Sequence, residues 1–190
     1  MRPRGSVMSM IQRYRLLVGL GLAVVAGVLL GRAVLAKEVP SFVISRVAAG
    51  MEAPAFALSG IDGTSVQSAS WRGKVVVVNF WATWCGPCKE EMPALARLRQ
   101  SVDPAQVEVV TVTTDLQRDG IKAFLGHLGL NLAVLLDAEQ DVSRSFMVRG
   151  LPTTVIIGKD GKEVGRAIGP RAWDSPEAVA TIRRYAEAGS

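Results

Sequence analysis

The chain contains two cysteines, Cys85 and Cys88, separated by Gly86 and Pro87. A pair at this spacing can bind a metal, anchor a haem or exchange a disulfide. A structural zinc site needs four nitrogen or sulfur ligands, and beyond this pair the chain offers only His127. Haem attachment requires a histidine directly after the second cysteine, where Lys89 stands. Dithiol–disulfide exchange is the chemistry that fits these residues. No metal and no cofactor beyond the redox-active Cys85–Cys88 disulfide is expected.

The flanking sequence supports the same reading. Residues 75–80 form an apolar run interrupted only by Asn79, the pattern of a central strand covered on both faces. Residues 87–100 read as a helix, with Pro87 in the first turn and Arg97 and Arg99 near the end. The pair therefore sits where a strand hands over to a helix. Cys85 falls at the helix N-terminus, where unpaired N–H groups and the helix dipole stabilise a thiolate. Cys85 is the expected nucleophile, and Cys88, one turn further in, the expected resolving thiol. Gly86 and Pro87 constrain the turn between them. Glu91 lies three residues beyond Cys88, on the same helix face. A carboxylate there could take or return the proton of Cys88. Glu90, next to it, reads as a solvated charge.

The remaining elements must hold this site in place. Residues 56–58 and 64–66 flank Asp62-Gly63, a hairpin signal. Strands are expected at 107–113, 132–136, 153–157 and 163–168, the last two paired around Asp160-Gly161. Helices are expected at 119–127, 141–147 and from Pro176 to about residue 188, with Ser175 as N-cap. Strands alternating with helices make an α/β layered fold. Trp81, Met92 and Met147 read as core residues, and His127 as an exposed helix end.

Charge separates the chain into two parts. Residues 1–36 carry five arginines and no acid, whereas the remainder balances 17 basic against 17 acidic residues. The excess of +5 thus belongs to the tail, and a folded domain without a basic excess argues against nucleic-acid binding. Residues 16–31 are uncharged and apolar, about 24 Å long as a helix. Extension to residue 36 reaches the length of a membrane span if Arg32 snorkels. Arg2, Arg4, Arg13 and Arg15 precede the run, which places the N-terminus in the cytoplasm and the domain across the membrane. An uncleaved anchor is the preferred reading. A signal peptide cut after Ala36 is the alternative. The expected organisation is a basic stub with anchor or signal over residues 1–36, a spacer over 37–53 and a domain over 54–190.

The segment from Trp84 to Cys88, Pro93, and Gly150-Leu151-Pro152-Thr153-Thr154 together resemble thioredoxin. Asn79, in place of the buried Asp of thioredoxin, and Cys88-Lys89-Glu90-Glu91-Met92-Pro93 resemble the ResA/TlpA group of extracytoplasmic thioredoxin-like proteins. The resemblance covers about residues 50–188. It implies a thioredoxin fold, a central mixed sheet flanked by helices, with an N-terminal β-hairpin and an inserted strand and helix. It implies a functional Glu91, and a cis-proline at Pro152 that leaves the Leu151 backbone free to pair with substrate. Trp84 would flank the exposed sulfur and contact substrate. The implied activity is reduction of protein disulfides, such as those of apocytochrome c or copper-site cysteines, with electrons from a transmembrane thiol donor. Thr153 departs from the cytochrome-c branch, which has Glu directly after the cis-proline. An exported oxidant or isomerase, and a tethered module that only binds, are the competing readings.

Overall fold

The computed structural model describes residues 42, 44, 45 and 51–188. The anchor or signal over residues 1–36, and the spacer up to residue 50 apart from those three positions, lie outside the described residues. No helix among the described residues is long and apolar enough to cross a membrane.

Among the described residues seven strands form one mixed sheet in the order β2-β1-β5-β4-β3-β6-β7. The hairpin β1 (Ala57–Gly60) and β2 (Ser65–Gln67) turns at Asp62-Gly63, where Gly63 adopts a φ of +89°. A left-handed backbone of this kind suits glycine. A 3-10 turn, Ser68–Trp71, leads to β3 (Val75–Trp81), the first of the central strands. It runs parallel to β4 (Val107–Thr113) and antiparallel to β6 (Thr153–Ile157). β5 (Ala133–Leu136) extends the parallel part beyond β4, and β7 (Glu163–Ile168) closes the other edge beside β6. The α-helices among the described residues are α1 (Gly86–Ser101), α2 (Arg118–His127), α3 (Asp141–Ser145) and α4 (Pro176–Glu187). This is the thioredoxin-like architecture that the resemblance implies, with the leading hairpin and the helix and strand inserted between β4 and Pro152.

β3 is buried along its whole length, and its alternation distributes side chains to two cores. Val75, Val77 and Trp81 join the core that holds Met92, Leu95 and Leu98 of α1, Ile121 of α2 and Ile182 of α4. Val76, Val78 and Phe80 join the opposite core with Phe56, Val142 and Phe146. Asn79 shares the parity of the first set, so it points toward α1 from the middle of the sheet.

Two buried acids act as buttresses. Asp137, just past β5, is buried and accepts bonds from Val142 N, Ser143 N and Ser143 Oγ, the last at 2.6 Å. It thereby caps α3, which is shorter than the expected 141–147. Glu163 is buried on β7 and held bidentately by Arg166 at 2.8 Å to each oxygen. Met147 corrects the sequence reading. It is 54% exposed, with φ +52°, because the chain turns out of α3 there. Trp81 and Met92 are core residues and His127 is exposed, as expected.

Ser175 accepts a bond from Ala178 N at 3.1 Å and starts α4. Ser175→Ala should lower the unfolding free energy by about 1 kcal/mol. Asp137→Ala strands three donors and should cost about 2–3 kcal/mol. Denaturant titration of both variants measures the two costs, and the opposite ranking would contradict these assignments.

Candidate active site

Cys85 is the N-cap of α1 and Cys88 its third residue. The two are joined as a disulfide, with Cα atoms 5.3 Å apart. Cys88 N donates to Cys85 Sγ at 3.3 Å. The sulfur of Cys85 thus receives one of the orphan donors of the helix N-terminus, the arrangement that stabilises a thiolate once the disulfide opens. Cys88 is fully buried, while Cys85 is nearly so and lies beside exposed Gly86 and Pro87. Trp84 is 72% exposed, an apolar surface adjoining the outer sulfur. The asymmetry suits an outer sulfur that meets a partner and an inner one that resolves.

The loop ahead of Cys85 is fixed from the next strand. Asp115, in the β4–α2 connection, accepts from Thr83 N at 2.7 Å, Thr83 Oγ1 at 3.0 Å and Thr113 Oγ1 at 2.8 Å. Sequence reading did not single out Asp115. Its only local signal is the Thr-Thr-Asp end of a strand.

Glu91 is 3% exposed, one turn beyond Cys88 on α1. Its hydrogen-bond partners are donors. Asn79 Nδ2 reaches Oε1 at 2.8 Å, while Arg171 N and Trp173 Nε1 each reach Oε2 at 3.0 Å. Burial pushes its carboxyl above the ordinary 4.5, against the hydrogen bonds and the positive charge of Arg171. Arg171 and Trp173 lie in the β7–α4 loop, 80 residues or more from Glu91 in sequence. Nothing in the local sequence around Trp173 marks it as a carboxylate partner. The signal is physical: a buried acid requires donors, and the fold delivers them from afar.

Asn79 Nδ2 also donates to Thr154 Oγ1 at 2.9 Å. Thr154 is the cross-strand partner of Asn79 on β6, two residues after Pro152. The Leu151–Pro152 peptide is cis. Pro152 is buried, Thr153 Oγ1 donates to Gly150 O at 2.7 Å, and Gly169 N donates to Pro152 O at 2.9 Å. Leu151 packs on the core that includes Cys85 and Cys88. The fold therefore gathers Trp84, Cys85, Gly86, Pro87, Cys88 and Glu91 at the start of α1, and joins them to the Leu151–Pro152 loop through Asn79 and Thr154. No group of three or more histidine, cysteine or acidic side chains that could hold a metal occurs among the described residues.

A protein-family model described as Redoxin matches residues 48–182. The chain is 34% identical over 128 residues to a thiol-disulfide oxidoreductase ResA of Bacillus thuringiensis, covering 67% of this chain and 74% of that one. It is 35% identical over 118 residues to the ResA of Bacillus subtilis, covering 62% and 66% respectively. A solved thiol:disulfide interchange protein of the thioredoxin family from Chlorobium tepidum superposes with a TM-score of 0.61 at 27% identity, over 75% of this chain and 97% of that one.

The buried carboxyl of Glu91 makes stability depend on pH. Between 4.5 and its raised folded value, the folded protein holds more proton than the unfolded chain. Stability therefore falls as pH rises through that window, and the loss is complete above the folded value. Glu91→Gln removes this dependence. The stability of the oxidised variant relative to the oxidised parent should climb from pH 4 upward and then level off. Denaturant unfolding across about pH 4–8 tests this, and a difference that does not vary with pH would contradict a raised carboxyl.

Proposed function

The chain belongs to the Redoxin family and is a thiol–disulfide oxidoreductase of the ResA type, and on that premise we propose that it is a membrane-tethered extracytoplasmic reductant of protein disulfides. The observation that carries the proposal is the Cys85–Cys88 disulfide capping α1 with the buried Glu91 one turn beyond it. The Gly86-Pro87 dipeptide between the cysteines, shared with thioredoxin, supports the reducing direction, since the thioredoxin couple lies near −270 mV and that of the oxidant DsbA near −120 mV.

In the forward reaction the Cys85 thiolate attacks one sulfur of a substrate disulfide. A mixed disulfide forms, and the other substrate sulfur leaves as a thiolate. Cys88 then gives its proton to the Glu91 carboxylate and attacks Cys85 Sγ. The second substrate sulfur leaves and the Cys85–Cys88 disulfide closes. Two electrons pass to the substrate, and its two thiolates take up two protons. Burial raises the proton affinity of Glu91, which matches it better to a thiol than an exposed carboxylate would be. No cofactor beyond the cysteine pair enters the cycle. Trp84, Gly86 and Pro87 form the face met by substrate, and the backbone at Leu151, held by cis Pro152, pairs with an extended substrate segment.

The N-terminal apolar segment, with arginines before it and none of the acids, supports an anchor whose N-terminus is cytoplasmic. Tethering keeps the domain near a transmembrane thiol donor, which re-reduces the pair by the reverse exchange, and near membrane-bound substrates. Cysteines awaiting haem or copper in extracytoplasmic proteins are the substrate class that the ResA relationship suggests.

The full-length chain in detergent should equilibrate with defined thiol buffers at a potential below about −220 mV; a value above about −150 mV would overturn the reducing role. Cys88→Ala should accumulate mixed disulfides through Cys85 with its protein substrates, and no adduct would overturn the exchange mechanism.

A further inference from the structure

Asn79 Oδ1 is buried and has no hydrogen-bond partner in the described structure. An unpaired buried acceptor costs free energy and calls for a reason. The same side chain spends its Nδ2 twice, on Glu91 Oε1 and on Thr154 Oγ1. Thr111, the register neighbour of Asn79 on β4, already commits its hydroxyl to Ala133 O at 3.0 Å. The arrangement thus presents only donors to Glu91, which suits an ionised carboxylate. A protonated Glu91 has a hydrogen to place. Oε2 is held by the backbone N–H of Arg171 and the indole N–H of Trp173. Neither can accept, so the proton belongs on Oε1, opposite Asn79.

We propose that the Asn79 side-chain amide is a positioning switch that turns over as Glu91 gains or loses its proton. Turning the amide by 180° exchanges its oxygen and nitrogen. Oδ1 then accepts from the protonated Oε1 and from the Thr154 hydroxyl. Both arrangements make two bonds at Asn79 and leave one of its amide ends unpaired. The proton can therefore enter or leave a buried site without a net loss of hydrogen bonds. The proton is the one released by Cys88 as it attacks Cys85 Sγ, so the switch rests on the shuttle reading of Glu91. Its consequence reaches Thr154 on the cis-Pro152 strand, whose hydroxyl changes from acceptor to donor within the same event. Arg171 is the charged group whose field registers at Glu91.

A donor fixed in one orientation behaves differently from one that turns. A fixed Nδ2 stabilises only the ionised form, so its removal should raise the Glu91 midpoint by about one pH unit or more. A turning amide serves both forms, and its removal should leave the midpoint nearly unchanged.

The test is NMR of the oxidised full-length chain in detergent, following the Glu91 carboxyl carbon and the Asn79 amide group across pH. The Asn79 Nδ2 resonances should move between two positions with the same midpoint as the Glu91 carbon. In Glu91→Gln the new amide nitrogen occupies the Oε1 place and donates to Asn79. This variant should hold the Asn79 resonances at the low-pH position at every pH. In Asn79→Leu the Glu91 midpoint should stay within about half a unit of the parent value, less than the loss of a fixed donor predicts. Asn79 resonances that ignore the Glu91 titration would overturn the switch, and this outcome needs no variant to fold. A rise of one unit or more in Asn79→Leu would overturn it as well, in favour of a fixed donor. The shuttle is read separately, as the rate at which Cys88 resolves a mixed disulfide. An unchanged pH profile of that rate in Glu91→Gln removes the shuttle and the switch with it, whereas a lost pH dependence with static Asn79 resonances removes the switch alone.

Discussion

The burial of one carboxyl group organises this protein. A glutamate taken out of water must be neutral, paired or surrounded by donors. Glu91 draws its donors from three places: the middle of β3 through Asn79, the backbone of the β7–α4 loop through Arg171, and an indole through Trp173. Helix α1, the central strand and the segment leading into α4 are therefore joined at one atom pair. The same contacts fix the register of α1 on the sheet, and so the place of the cysteines at its N-terminus.

That junction links stability to chemistry. Raising the proton affinity of Glu91 lowers stability at neutral pH, yet it brings the carboxyl toward the range useful for a thiol proton. Strain of this kind is tolerable because the sheet around it is over-determined. β3 is buried along its length between β4 and β6, with apolar cores on both faces. Asn79 and Thr154 form a polar pair across β3 and β6, and the Leu151–Pro152 loop leads into the same β6. The substrate loop and the proton site are thus neighbours in the hydrogen-bond network, although about 60 residues separate Glu91 from Pro152 in sequence.

Specific elements show why some features were readable in advance. β4, β6 and β7 fall at the expected residues, because apolar runs bounded by glycine and aspartate turns have few other ways to fold. α1 gains one residue at each end, since Pro87 and the Cys85 cap define its start. Met147 was misread because its hydrophobicity was weighed without its backbone: it lies where the chain leaves α3 with a positive φ, and its side chain points to solvent. The sequence does not single out Asp115, Asp137 or Glu163, since what distinguishes them is the set of partners that folding supplies.

The sequence by itself determined the chemistry: two thiols at helix-turn spacing, a strand before them, a helix after them and Glu91 one turn beyond. Those relations are local, and local geometry follows from chain periodicity. Only the tertiary structure decided that Glu91 is buried among donors and that Asn79 rather than solvent meets it. It also decided that Arg171 and Trp173 close the site and that Thr154 ties it to the cis-Pro152 strand. These depend on contacts between segments far apart in the chain, whose approach is set by how two cores pack against one sheet rather than by any spacing along the chain.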